Sequence, residues 1–209
     1  ECLIKSVHAK YIHGFTATPR RQDGLEKLMH FQIGSVVYKA ATTASSFDQH
    51  VKVVKTNTRF PPEWLIPETK PHISQIYKRL VCDQARNEMI VNSIKQSVDN
   101  DRSVMVLTER KEHIELLAKM MTDKSIKVVE LHGGISTKQR QERITLLSSK
   151  PSNDEPVVIL ATGKYVGEGF DLPHLDTLFI TLPIAWKGIL AQYAGRIQRE
   201  WSSKTVIQV

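Results

Sequence analysis

The sequence predicts an α/β domain, a parallel sheet carrying helices on both faces. Three observations lead there. Short apolar runs at residues 104–107, 128–131, 157–161 and 177–181 read as strands buried on both sides. Segments between them place apolar residues at helical spacing. Strands separated by helices need crossover connections, and crossovers make neighbouring strands parallel.

Taken in order, residues 9–15 read as a strand ending at Thr16-Ala17-Thr18-Pro19, because proline stops regular structure and holds Thr18 extended. Arg20 and Arg21 follow, then Leu25, Leu28 and Met29 at helical spacing. Residues 36–58 alternate apolar and polar side chains, Val51 and Val53 against Lys52 and Lys55, which predicts one or two strands. Pro61, Pro62, Pro67 and Pro71 punctuate a linker, and the main boundary is set there. The expected division is therefore residues 1–35, a strand-containing linker at 36–71, and the main domain at 72–209. Ile73, Ile76, Tyr77, Leu80, Val81, Ala85, Met89, Ile90 and Ile94 predict one long amphipathic helix. Further helices are expected over residues 114–121, 137–147 and 189–198, a loop over 148–156, and a closing strand over 204–209.

Composition narrows the function classes. With 41% hydrophobic and 24% charged residues, the chain can fill a core and is not a disordered segment. No apolar run approaches the ~20 residues of a membrane span, and residues 1–10 lack the pattern of a secretory leader. Lys and Arg number 29 against 22 Asp and Glu, a net +7 that suits a phosphate-bearing partner as well as a merely solvated surface. Cys2 and Cys82 form no C-x-x-C pair, so a structural zinc is not expected and a reduced, cytoplasmic compartment is. Glu1 and the apolar alternation that stops at Val209 read as cuts through a longer protein.

In open parallel sheets, ligands gather beyond the carboxyl ends of the strands. Three glycine-bearing stretches fall there: Leu131-His132-Gly133-Gly134, Ala161-Thr162-Gly163, and Gly167-Glu168-Gly169-Phe170-Asp171. Glycine lets backbone N–H groups approach a phosphate, although a tight turn alone accounts for any single one of them. A stronger signal is Gln192-Tyr193-Ala194-Gly195-Arg196-Ile197-Gln198-Arg199. On a continuing helix, Arg196 and Arg199 share a face and repel each other unless an anion lies between them; a triphosphate suits their guanidinium forks. Two solvated arginines at a helix C-terminus are the plainer alternative.

Together and in this order, these stretches resemble the motifs of superfamily 2 helicases of the DEAD/DEAH type, with a flavour similar to restriction-enzyme motor subunits. Thr16-Ala17-Thr18-Pro19 resembles the Ser/Thr-Ala-Thr motif that ends the first RecA-like domain. Val104 to Thr108 resembles the fourth motif, and Leu131-His132-Gly133 the turn that follows it. Ala161-Thr162 through Gly169-Phe170-Asp171-Leu172-Pro173 resembles the fifth, and Gln192 to Arg199 the sixth, Q-x-x-G-R-x-x-R. The resemblance covers nearly the whole chain. It implies a RecA-like fold, that of the C-terminal domain of P-loop NTPase helicases, preceded by the tail of the first RecA-like domain.

The resemblance also implies the site. ATP with Mg²⁺ binds between two RecA-like domains, and the finger role falls to Arg199 with Arg196 beside it. Gln192 places the attacking water or couples the cleft to nucleic acid. Gly169 and Asp171 meet the nucleotide, Asp171 at the ribose hydroxyls. Thr162, Gly133, Gly134 and, more weakly, Thr108 contact the phosphates of one strand, with DNA expected ahead of RNA. Thr16 and Thr18 relay nucleotide state between the domains. Two departures matter. The chain has no G-x-x-x-x-G-K-[ST] and no Asp-Glu-x-His or Asp-Glu-x-Asp stretch, so alone it is expected not to hydrolyse ATP; those elements belong to the first RecA-like domain of the parent. Many relatives also carry Thr-Asp where this chain has Thr162-Gly163, so the role of that Asp does not transfer.

Three other classes compete with this reading. Gly167-Glu168-Gly169 suggests a dinucleotide fingerprint, but the third glycine position is Leu172. His132-Gly133-Gly134 suggests an esterase oxyanion turn, but G-x-S-x-G is absent. A RecA-like domain kept only for docking nucleic acid or protein is the serious rival, and Arg196 and Arg199 argue against it.

Overall fold

The computed structural model describes residues 9–16, 24–40, 47–148, 157–167, 171–184, 187–201 and 204–209. Thr18 and Gly169 lie outside them. The chain divides into two compact units, Glu1–Ser45 with Ile184–Gln192, and Ser46–Pro183 with Tyr193–Val209.

In the first unit, helix α1 spans Glu26–Ile33 and stops at Gly34, which takes φ 96° while its N–H bonds to His30 O at 2.9 Å. Only glycine adopts that backbone cheaply. Residues 9–16 form no strand, contrary to the strand expected at residues 9–15. A strand needs a partner ladder, and none pairs with this segment among the described residues.

The second unit is built on a six-stranded sheet. Its strands are β1 (Asp48–His50), β2 (Val104–Thr108), β3 (Lys127–Leu131), β4 (Val157–Thr162), β5 (Thr177–Ile180) and β6 (Val206–Gln208), in the order β1-β6-β5-β2-β4-β3 with every pairing parallel. Its helices are α2 (Ile73–Val81), α3 (Gln84–Asp99), α4 (Lys111–Thr122), α5 (Thr137–Ser148) and the short α6 (Gly163–Gly167); of α7 (Lys187–Ile197), the residues from Tyr193 onward belong to this unit. The fold is the expected α/β one.

β2 is central and every one of its residues is buried. Val104 and Val106 join Val158 and Leu160 against Val91 and Ile94 of α3 and Ile114, Leu117 and Met121 of α4. Met105, Leu107, Ile159 and Ala161, on the alternate face, are buried as well. Burial on both faces explains why these strands read as unbroken apolar runs. Each such Val, Leu, Ile or Met side chain contributes about 1.5–3 kcal/mol by leaving water.

Two elements differ from expectation. The single helix predicted from residue 73 is two, broken at Cys82 and Asp83. Asp83 starts the second helix by accepting the Arg86 N–H at 3.0 Å on Oδ1, and a capping aspartate stabilises a helix start more than a helix interior. Among the apolar residues of the two helices, Leu80 on α2 and Val91 and Ile94 on α3 are buried. The linker expected at 36–71 contributes β1, whose Asp48, Gln49 and His50 pair with Val206, Ile207 and Gln208. Val51 and Val53, the alternating residues that suggested a strand, lie beyond β1 and are exposed.

Arg102 ties the amino ends of β5 and β6 together. Its Nε donates to Thr177 Oγ1 at 2.8 Å, its Nη2 to the carbonyls of Asp176 and Val206 at 3.1 and 3.3 Å, and Nε lies 3.2 Å from Asp176 Oδ1. Burial raises the Asp176 carboxyl, opposed by Thr177 and Arg102.

Candidate functional site

Because all pairings are parallel, the carboxyl ends of β3, β4 and β2 lie side by side on one edge of the sheet. Beyond β3, Gly133 and Gly134 are exposed. The Gly134 N–H donates to His132 Nδ1 at 3.0 Å, which leaves the ring proton on Nε2, 3.5 Å from Glu130 Oε2. A Cβ on Gly134 would come within 2.9 Å of the His132 ring and 3.1 Å of Lys111 Cε; one on Gly133 would come within 3.2 Å of the Tyr165 hydroxyl. The turn is therefore walled by a cation and an aromatic ring. The Arg140 guanidinium lies 5.4 Å from the Tyr165 ring centre, and its Nη2 donates to Tyr165 O at 3.4 Å.

β4 ends at half-buried Thr162, in register with Thr108 of β2. Thr108 is 2% exposed, and its hydroxyl lies 2.9 Å from His113 Nδ1. His113 Nε2 lies 3.0 Å from Asn87 Oδ1, while Asn87 Nδ2 donates to Val81 O at 2.7 Å. Since that amide oxygen only accepts, Nε2 carries the proton and Thr108 donates to Nδ1. Thr108 thus points into the domain instead of outward to a phosphate track. Burial, with the Arg86 charge nearby, lowers His113 to about 4, so the ring is neutral at physiological pH. Arg86 donates to Thr181 O from the adjoining turn of α3.

At the end of α7 the sequence reading needs revision. The helix stops at Ile197, so Arg199 lies past it and the shared-face argument for Arg196 and Arg199 does not hold. Lys204 Nζ ends the helix by donating to Ile197 O at 2.9 Å and Arg199 O at 2.8 Å, and to Pro173 O. Arg199 Nε meets Asp171 Oδ1 at 3.5 Å, with 54% and 56% of the two side chains exposed. The residues expected at the γ-phosphate and at the ribose thus meet each other at the surface. Arg196 is half-buried and Gln192 is exposed. A Cβ at Gly195 would meet nothing within 4 Å, so close packing is not the reason for that glycine. Thr16 is exposed in the first unit.

Sequence reading passed over Glu109 and Tyr193. Tyr193 is 5% exposed on α7, and its hydroxyl donates to the carboxylate of Glu109, the residue after β2. Burial raises Tyr193 to about 12, and partial desolvation raises the carboxyl of Glu109, a residue exposed overall, against the lowering effect of the Tyr193 hydroxyl. The available signals were a carboxylate directly following an apolar strand and a tyrosine inside the Gln192–Arg199 stretch. Neither predicts a partner about 80 residues away.

These features converge with the comparison to known proteins. The sequence pattern of the helicase conserved C-terminal domain family matches residues 85–201, more than half of the chain. The chain belongs to that family. This helicase C-terminal domain is 29% identical over 204 residues to "Putative helicase 161L" of Invertebrate iridescent virus 6, covering 93% of this chain and 43% of that protein. It is also 29% identical over 136 residues to "Transcript termination protein OPG145" of Variola virus, covering 64% of this chain and 27% of the relative. T4 UvsW shares the fold with a TM-score of 0.56 at 14% identity, over 79% of this chain and 33% of that one. The fold is RecA-like and of the superfamily 2 helicase type. The chain spans less than half the length of these relatives.

Exposed Arg199 and Asp171, with half-buried Arg196, have the chemistry that fits a nucleotide, since guanidiniums suit phosphate and a carboxylate suits hydroxyls. Among the described residues no group of three or more His, Cys, Asp or Glu could hold a metal ion, and no helix is long and apolar enough to cross a membrane.

Proposed function

We propose that this domain is the second motor half of an ATP-dependent helicase or translocase, acting with a first RecA-like domain of the same parent chain that supplies most of the ATP and Mg²⁺ contacts. The carrying observation is the exposed pair of Arg199 and Asp171 at 3.5 Å. An exposed ion pair is worth only about 0–1 kcal/mol, so Arg199 can exchange Asp171 for a phosphate at little cost. In the closed cleft Arg199 stabilises the charge developing on the γ-phosphoryl group, a contribution on the order of 10³–10⁵ in rate for such fingers. Arg196 supports it, Gln192 orients the water or couples the cleft to nucleic acid, and the released Asp171 with the Gly169 backbone receives the ribose.

Gly133, Gly134 and Thr162, on the carboxyl edge of β3 and β4, contact the phosphates of one strand, with DNA as the expected polymer. Thr108 supports that edge from inside through His113. Thr16 and Thr18 couple nucleotide state to cleft closure, and residues 1–35, 36–71 and 72–209 serve as first-domain tail, linker and motor half. Backbone tracking of this kind is salt-sensitive and independent of sequence.

The test is ATP turnover by the full-length parent, with and without single- and double-stranded DNA and RNA, beside Arg199→Ala. Stimulation by nucleic acid, abolished in the variant while ATP still binds, is the expected result. Wild-type turnover in Arg199→Ala removes the finger assignment. A parent with no turnover favours a docking module instead.

A further inference from the structure

Gly163 is the first residue of α6, directly after β4, at the position where the resemblance to the helicase motifs leads one to expect an aspartate. The structure gives this chain a different arrangement. A Cβ placed on Gly163 would fall on the Tyr193 hydroxyl, 2.7 Å from Tyr193 Cζ and 2.8 Å from Glu109 Oε1. The space of a side chain at residue 163 is thus filled by a tyrosine hydroxyl from α7 and a carboxylate from the end of β2. No L side chain enters that space without displacing both.

Three elements meet at this point. Glu109 follows β2, the strand buried along its whole length, so its backbone is fixed by the core. Tyr193 sits on α7, three residues before Arg196 and one turn before the helix ends. Beside them, Tyr77 of α2 donates to Pro183 O at 2.9 Å, and the Arg110 guanidinium lies 5.5 Å from the Tyr77 ring centre. The hydroxyl of Tyr193 has one strong acceptor, a carboxylate, and such charge-assisted bonds are about twice as strong as neutral ones. A buried ring fastened at its tip sets the rotation of the helix that carries it. Displacing a charge-stabilising group by about 1 Å costs on the order of 10²-fold in rate.

We propose that Glu109 is a positioning residue of the motor. Its carboxylate accepts the Tyr193 hydroxyl in the space left by Gly163, and so holds the end of α7 where Arg196 and Arg199 face the nucleotide. The inference rests on the motor reading for its catalytic consequence, whereas the fastening of α7 to β2 stands on geometry alone.

The test uses the full-length parent at saturating nucleic acid. Glu109→Ala removes the acceptor, Tyr193→Phe removes only the hydroxyl, and Glu109→Gln keeps an acceptor oxygen. Glu109→Ala and Tyr193→Phe should each lower kcat about tenfold with KM for ATP within about twofold, and the double variant should be no worse than either. Glu109→Gln should stay within about threefold of wild type. A packing role alone would show as lowered urea midpoints without this coupling or this rescue. Wild-type kcat in Glu109→Ala, multiplied losses in the double variant, or Glu109→Gln as impaired as Glu109→Ala would each overturn the proposal. If the wild-type parent shows no stimulated turnover, the motor reading has failed on its own. Amide hydrogen exchange across residues 187–199 then reads the fastening: faster exchange in Glu109→Ala and Tyr193→Phe, corrected by Glu109→Gln, upholds it, and unchanged exchange refutes it.

Discussion

Acid should weaken this domain through one residue. His113 is fully buried, donates from Nε2 to Asn87 and accepts from Thr108 at Nδ1, so both nitrogens are satisfied in the neutral form. Protonation would put a hydrogen on Nδ1, facing a hydroxyl that already donates there, in a fully buried site near Arg86. Burial chiefly, and that charge second, lower His113 from the ordinary 6.5 to about 4. In the unfolded chain the imidazole titrates at its ordinary value, so between these two pH values the unfolded state binds more protons and stability rises with pH. The contribution is complete above pH 6.5 and is lost as pH falls toward 4. At 1.36 kcal/mol per pH unit, about 2 kcal/mol has gone at pH 5, and about 3 kcal/mol by pH 4.

The assay is urea unfolding at about pH 7.5 and about pH 5 for wild type and His113→Gln, a side chain that hydrogen-bonds without titrating. Every other acid-sensitive group is common to the two proteins, so the difference of differences isolates His113. The variant is expected to start less stable and to lose about 2 kcal/mol less on acidification. Equal losses in the two proteins would refute the assignment of a buried neutral ring.

Two further outcomes follow from the same geometry. Arg102→Met strands the largely buried Asp176 carboxylate and three other acceptors, and should cost about 3 kcal/mol in urea unfolding at neutral pH; a loss below about 1 kcal/mol contradicts the role given to Arg102. Asp171→Asn breaks only an exposed pair, so stability should change by less than about 1 kcal/mol, while the parent's KM for ATP rises about tenfold if the carboxylate holds ribose; an unchanged KM removes that role.

Patterns with a short period survived the passage from sequence to structure. Residues 104–107 and 157–161 read as strands because each is buried on both faces, and β2 and β4 lie there. The glycines after β3 read as an exposed turn for a local reason, and Gly133 and Gly134 form one. The Thr108 reading failed for a reason no local pattern carries: position at a strand end leaves open which way the side chain faces, and His113 and Asn87 turn it inward. The helical pairing of Arg196 with Arg199 failed at a boundary, since Lys204, arriving later in the chain, ends α7 at Ile197.

The sequence by itself determined that this is a parallel α/β domain, and the order of its motifs placed it among superfamily 2 helicases. Alternation of strand and helix is set by nearest-neighbour spacing and by which faces must leave water, and both can be read along the chain. Only the tertiary structure decided that Asp48–His50 completes the sheet beside β6, that Arg199 answers to Asp171, and that Glu109 and Tyr193 share the space Gly163 leaves empty. Each of these is a contact between residues 28 to 158 positions apart. Its free energy depends on distance and orientation in space, which sequence spacing does not encode.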